Sequence, residues 1–119
     1  MKIQSYKQVK GIKTNPGVTM HVVAGVDEEA PNFVMRLFEI EQDSSTTLHS
    51  HAWEHEFFVV EGKGVVKSGG KEFPIRAGDA VMVLPNEEHC VMNKQKEMLR
   101  VICIVPLVDG KMPGMVPGK

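Results

Sequence analysis

The sequence predicts an all-β domain, a sandwich or barrel of short antiparallel strands. Three observations carry this. Runs of β-branched and aromatic residues recur at short intervals between Val18 and Val105. Glycine-bearing turns separate them, at Gly62-Lys63-Gly64, Ser68-Gly69-Gly70 and Arg76-Ala77-Gly78-Asp79. No segment keeps a helical period over three turns.

Taken in order, residues 1–17 read as an irregular or edge segment that ends in the turn Thr14-Asn15-Pro16-Gly17. Residues 18–24 form a strand, and 25–31 a turn or acidic loop. Residues 32–41 form a longer strand on which Arg36 shares a face with Val34, Phe38 and Ile40. A polar loop, 42–46, leads to a histidine-rich stretch. Beyond it the pattern is strand, tight turn, strand: 57–60, 65–67, 71–75, 80–84 and 89–92, then the strong strand 98–105 after the polar residues 93–97. The Pro/Gly-rich tail, 109–119, is expected to be loose or to pack on a partner.

The chain's 119 residues suit one domain, 1–119, with a single core. Its 42% hydrophobic and 24% charged content is that of an ordinary globular protein. A formal charge of −1 gives no case for nucleic acid or an acidic membrane surface, and no helix-turn-helix pattern is present. No apolar run approaches the roughly 20 residues that span a bilayer, and the N-terminus lacks the apolar core of a signal peptide. Cys90 and Cys103 show no CxxC spacing, so the expected setting is the reducing cytoplasm.

The chemistry concentrates in residues 46–62, which hold three of the five histidines. On a strand, His49 and His51 would point the same way, about 7 Å apart, as two imidazoles converging on one metal ion need. If Phe57 and Val59 face inward, so does His55, while Glu56 points away. Glu54 and Glu56 then read as solvated carboxylates flanking a ligand, with a ligand, general-base or ligand-orienting role as the alternative. His21 has no motif partner and reads as a solvated or hydrogen-bonded histidine. Arg36 has two readings, an anion-binding group in the barrel mouth or the partner of a carboxylate such as Glu39 outside it. Trp53 lies in a turn and could rim a pocket or an interface.

These residues resemble the cupins. His49-Ser50-His51 and Gly62 fit the first cupin motif, about 46–62, and Gly78, His89 and Asn93 fit the second, about 78–93. There are departures. Motif 1 lacks its leading glycine, His55 stands where a ligand glutamate is usual, and Leu84 and Asn86 replace a proline and a glycine. Pro85 and the tolerance of asparagine for left-handed φ accommodate the last two. The set His49, His51, His55 and His89 is similar to that of the small four-histidine cupins.

The resemblance implies a jelly-roll barrel, a homodimer, and one divalent metal on those four histidines. Manganese or iron is favoured, with nickel, zinc or copper open. Four neutral imidazoles leave the ion its whole +2 charge, and a six-coordinate ion keeps two positions for a small chelating molecule or dioxygen. The family's last strand lines the barrel, which places Cys103 near the metal unless it is plain core packing. The implied activity is an oxidoreductase, dioxygenase-like, acting on a small organic molecule. A redox-neutral isomerase or lyase, or a non-catalytic binding module, are the other classes.

Overall fold

The structure is a computed structural model of the chain and describes residues 1–113. Ten strands form two antiparallel sheets. They are β1 (Ile12–Asn15), β2 (Val18–Ala24), β3 (Phe33–Ile40), β4 (Ser44–Ser45), β5 (His55–Glu61), β6 (Lys63–Ser68), β7 (Lys71–Arg76), β8 (Ala80–Val83), β9 (Cys90–Asn93) and β10 (Leu99–Pro106). The larger sheet runs β1-β2-β3-β10-β5-β8 and the smaller β4-β9-β6-β7. The only helical pieces among the described residues are single 3₁₀ turns at Tyr6–Gln8 and Val26–Glu28. The strands fold as a single-domain β-barrel with the alternate apolar residues inside, the cupin-type architecture that the resemblance implies.

Side chains of a strand alternate between faces, and β10 shows it cleanly. Leu99, Val101, Cys103 and Val105 are buried, whereas the residues between them are only partly so. On β3 the inward set is Val34, Arg36, Phe38 and Ile40, and on β5 it is His55, Phe57 and Val59. Val18, Ile40 and Leu99 are cross-strand neighbours and fully buried, so one end of the interior is apolar. Asn93 fastens that end, donating from its amide to the carbonyls of Ile40 and Glu97. Gly62 (φ 90) turns β5 into β6 where a Cβ would meet the Met98 carbonyl oxygen at 2.6 Å, so only glycine fits.

Three expectations change. His49 and His51 do not lie on a strand: His49 makes one isolated bridge to His89, and the chain then bends before β5. Their backbone groups are taken up by residues distant in sequence, for example by Asn86 N–H donating to the His51 carbonyl. The polar loop 42–46 contains β4, two residues held by pairing with β9 rather than by any propensity of their own. Arg36 does not pair with Glu39. That carboxylate faces outward to Arg100 and His21, and burial alone would raise its pKa, but hydrogen bonds from both partners hold it below the usual value. At the second motif the expected turn is present, with Asn86 in the left-handed region (φ 67). Of the tail, Val108 bridges Lys111 and Met112 packs into the core, while residues 114–119 lie outside the described residues.

Candidate metal centre

The bend in 46–54, the first residue of β5 and the lead into β9 bring four imidazoles together. Ring-nitrogen donors of His49, His51 and His89 all lie within 4.8 Å of one another. His55 adjoins them, its Nε2 2.6 Å from Nε2 of His89 and its ring centroid 4.8 Å from that of His51. His49 is exposed, His51 half-buried, and His55 and His89 buried, so the cluster runs from the surface into the barrel.

Each outer ring nitrogen has a partner. Nδ1 lies 2.6 Å from the Thr47 carbonyl in His49, 2.7 Å from the Trp53 carbonyl in His51, and 2.7 Å from the Glu87 carbonyl in His89. A carbonyl oxygen only accepts, so each Nδ1 carries the proton. The lone pair of each neutral ring therefore sits on Nε2. Burial lowers the pKa of His51 and His89, and the neighbouring imidazoles lower both further. Burial, followed by His89 and then His51, pushes that of His55 down to about 2. At neutral pH these rings are uncharged, the form in which imidazole binds metal.

His55 has a different outer partner. Its Nδ1 lies 3.1 Å from Sγ of Cys103, to which Arg36 Nη2 donates at 3.0 Å. Register explains the contact, since Cys103 stands opposite Arg36 on β3 and Phe57 on β5, two residues along from His55. Burial raises the Cys103 thiol above its usual range despite the pull of Arg36. The Arg36 guanidinium lies 5.1 Å from the Phe38 ring centroid, its Nη1 is 3.9 Å from the Met20 sulfur, and its buried Nε has no hydrogen-bond partner.

The sequence-derived set is thus assembled in one place: His49, His51, His55 and His89, with Arg36 and Cys103 behind His55. Glu54 and Glu56 are exposed, as strand parity requires. His21 is hydrogen-bonded to Glu39 and to the Val9 carbonyl, on the outside of the barrel. Trp53 stacks on His51, with centroids 4.4 Å apart and planes 2° apart, and so braces that ring. What sequence reasoning missed was the set of orienting carbonyls at Thr47, Trp53 and Glu87, which carry no side-chain signature. Their only trace is position, each two residues from its histidine.

The donors fit a divalent transition metal. Three Nε2 lone pairs converge with no carboxylate among them, and imidazole suits iron, nickel, copper and zinc better than the harder calcium or magnesium. His49, His51, His89 and, with its Nε2 lone pair free, His55 would hold it.

Comparison with known proteins agrees. The model of the cupin domain matches residues 36–105, which span both motifs. An oxalate-binding protein of Thermotoga maritima is 31% identical over 87 residues, covering 70% of this chain and 72% of its own. The polyketide cyclase RemF of Streptomyces resistomycificus superposes with a TM-score of 0.83 at 25% identity, over 89% of this chain and 79% of that one. A cupin 2 domain-containing protein of Halorhodospira halophila gives 0.71 at 30% identity, over 82% and 69%. With the fold, both motifs and these relatives in accord, the chain belongs to the cupin family.

Proposed function

We propose that this cupin is a metal-dependent enzyme that acts on a small, oxygen-chelating organic anion at the four-imidazole centre, by oxidoreductase, dioxygenase-like chemistry. The observation that carries the reading is the convergence of Nε2 lone pairs whose protons are held on Nδ1 by backbone carbonyls. A divalent ion bound there would supply a Lewis acid for chelating oxygens and, if manganese or iron, redox capacity. The protein's own part is electrostatic and steric. Arg36 is buried beside the cluster with sulfur but no carboxylate as partner, so an anionic ligand offers the missing counter-charge. Trp53 holds His51 flat, and the apolar layers beneath exclude water.

A redox-neutral reaction is the second reading, favoured by the similarity to a polyketide cyclase. The test is turnover of dicarboxylates, oxo acids and diphenols by manganese-, iron- and zinc-loaded protein, with and without oxygen. Oxygen uptake with product formation supports the first reading. Equal turnover without oxygen supports the second, and binding without turnover reduces the protein to a binding module. Arg36→Met should lower affinity for oxalate roughly tenfold or more while leaving metal content unchanged, as loss of a charged hydrogen bond predicts.

The outer face of the large sheet supports self-association. Phe58, Met82, Ile102 and Ile104 line an open apolar groove there, with Phe58 and Met82 about half exposed. We propose that it seats a second copy in a homodimer, so that Phe58→Glu gives a monomer by sedimentation where the parent is a dimer. Among the described residues no helix is long and apolar enough to cross a membrane, and both cysteines are free, which supports the cytoplasm as the setting.

A further inference from the structure

Three of the four imidazoles face carbonyl oxygens, and one faces sulfur. The difference matters because a carbonyl can only accept, whereas a thiol can donate or accept. Arg36 has no acceptor atom, so its Nη2–H donates to Cys103 Sγ. The thiol proton is then free to point at Nδ1 of His55, which leaves the ring's own proton on Nε2. That nitrogen is 2.6 Å from Nε2 of His89, whose lone pair is free because its Nδ1 donates to the Glu87 carbonyl. The five groups form one consistent chain of donors from Arg36 through Cys103, His55 and His89 to the Glu87 carbonyl. In this arrangement His55 is hydrogen-bonded to His89, and it is not among the mutually close donors of His49, His51 and His89.

We propose that Cys103 is a positioning residue that lets His55 exchange its Nε2 proton for a divalent metal ion. This rests on the cluster being a metal centre. On binding, one proton leaves Nε2 for solvent and one is taken up at Nδ1. The thiol turns its S–H away, and sulfur accepts from both Arg36 and Nδ1–H of His55. No group changes its charge. The other three rings need no such rearrangement. His55 is therefore the adjustable ligand, and its site is latched by the bond to His89 until metal enters.

The test is the long-range ¹H–¹⁵N imidazole spectrum of the full chain, metal-free and with zinc, together with zinc affinity of two variants. The expected result is the Nδ1–H tautomer at His49, His51 and His89 throughout, and at His55 a change from Nε2–H to Nδ1–H when zinc binds. Cys103→Ser, which keeps both hydrogen-bonding roles, should bind zinc within about threefold of the parent. Cys103→Ala should bind about 10- to 100-fold more weakly, the usual cost of removing a ligand's outer partner. An Nδ1–H tautomer at His55 in metal-free protein overturns the proposal without touching the metal centre, as does parental affinity in Cys103→Ala. A parent protein that takes up no zinc overturns both.

Discussion

His21 and the two inner imidazoles of the cluster, His55 and His89, are alike in burial and differ in what their nitrogens face. His21, on the outer side of β2, lies 2.8 Å from the Glu39 carboxylate and 3.0 Å from the Val9 carbonyl. Glu39 also takes Arg100, which in turn reaches Glu61, so the site is a network of alternating charge. It ties the N-terminal segment to the sheet. The four imidazoles at the other site face neutral carbonyls, a thiol and one another, with no carboxylate among them. The first site is satisfied as it stands, and the second has the Nε2 lone pairs of His49, His51 and His89 converging, of which only that of His89 meets a hydrogen-bond partner, His55, among the described residues. A histidine's role here is set by its partners' charge rather than by its burial.

The comparison can be broken most directly at His89, which belongs to both the converging trio and the His55 pair. His89→Ala should weaken zinc affinity by more than about a hundredfold, beyond what loss of an outer partner costs, whereas His21→Ala should leave it unchanged. Competition with a chromogenic chelator reads both.

Acidification should separate the sites next. His51, His55 and His89 have folded-state pKa values below 6.5, lowered first by burial. Above that value neither state is protonated and the groups contribute nothing. As pH falls below about 6.5 the unfolded chain binds protons that the folded chain refuses, so metal-free stability drops. Each histidine adds at most about 1.4 kcal/mol per pH unit. Urea unfolding between pH 7.5 and 5.5 measures it, and the dependence should shrink in His55→Ala.

At the outer site His21→Ala should cost about 1–3 kcal/mol, because it leaves the part-buried Val9 carbonyl without its His21 donor and Glu39 with Arg100 alone. The loss should be accompanied by faster amide exchange near Val9, with zinc affinity intact. The smallest effect belongs to Trp53→Ala, which removes the stack on His51. An aromatic pair contributes about 0.5–1.5 kcal/mol, so zinc affinity should fall severalfold.

Much of this was legible beforehand because it depends on period and spacing. The alternation Phe57, Val59 against Glu56, Phe58 put His55 inside and Glu56 outside, and glycine at turns marked the strand boundaries. What escaped depends on contacts distant in sequence. β4 exists only because β9 lies beside it, and the curl of 46–54 follows from the His49–His89 bridge and the ring-to-carbonyl bonds. Strand parity already sets Glu39 on the face opposite Arg36, but which groups Arg36 meets inside, Met20 on β2 and Cys103 on β10, could not be read from its own strand. Cys103 was legible as a barrel-lining residue, but its place between Arg36 and His55 needs the register of three strands.

The central claim is a metal centre of imidazoles alone, His55 included and Glu56 excluded. A zinc titration of the metal-free parent, His55→Ala and Glu56→Gln at neutral pH tests it most directly. The account predicts one ion per chain in the parent, roughly tenfold or greater weakening in His55→Ala, and parental affinity in Glu56→Gln. Loss of binding in Glu56→Gln with retention in His55→Ala, or no binding in the parent, would contradict it.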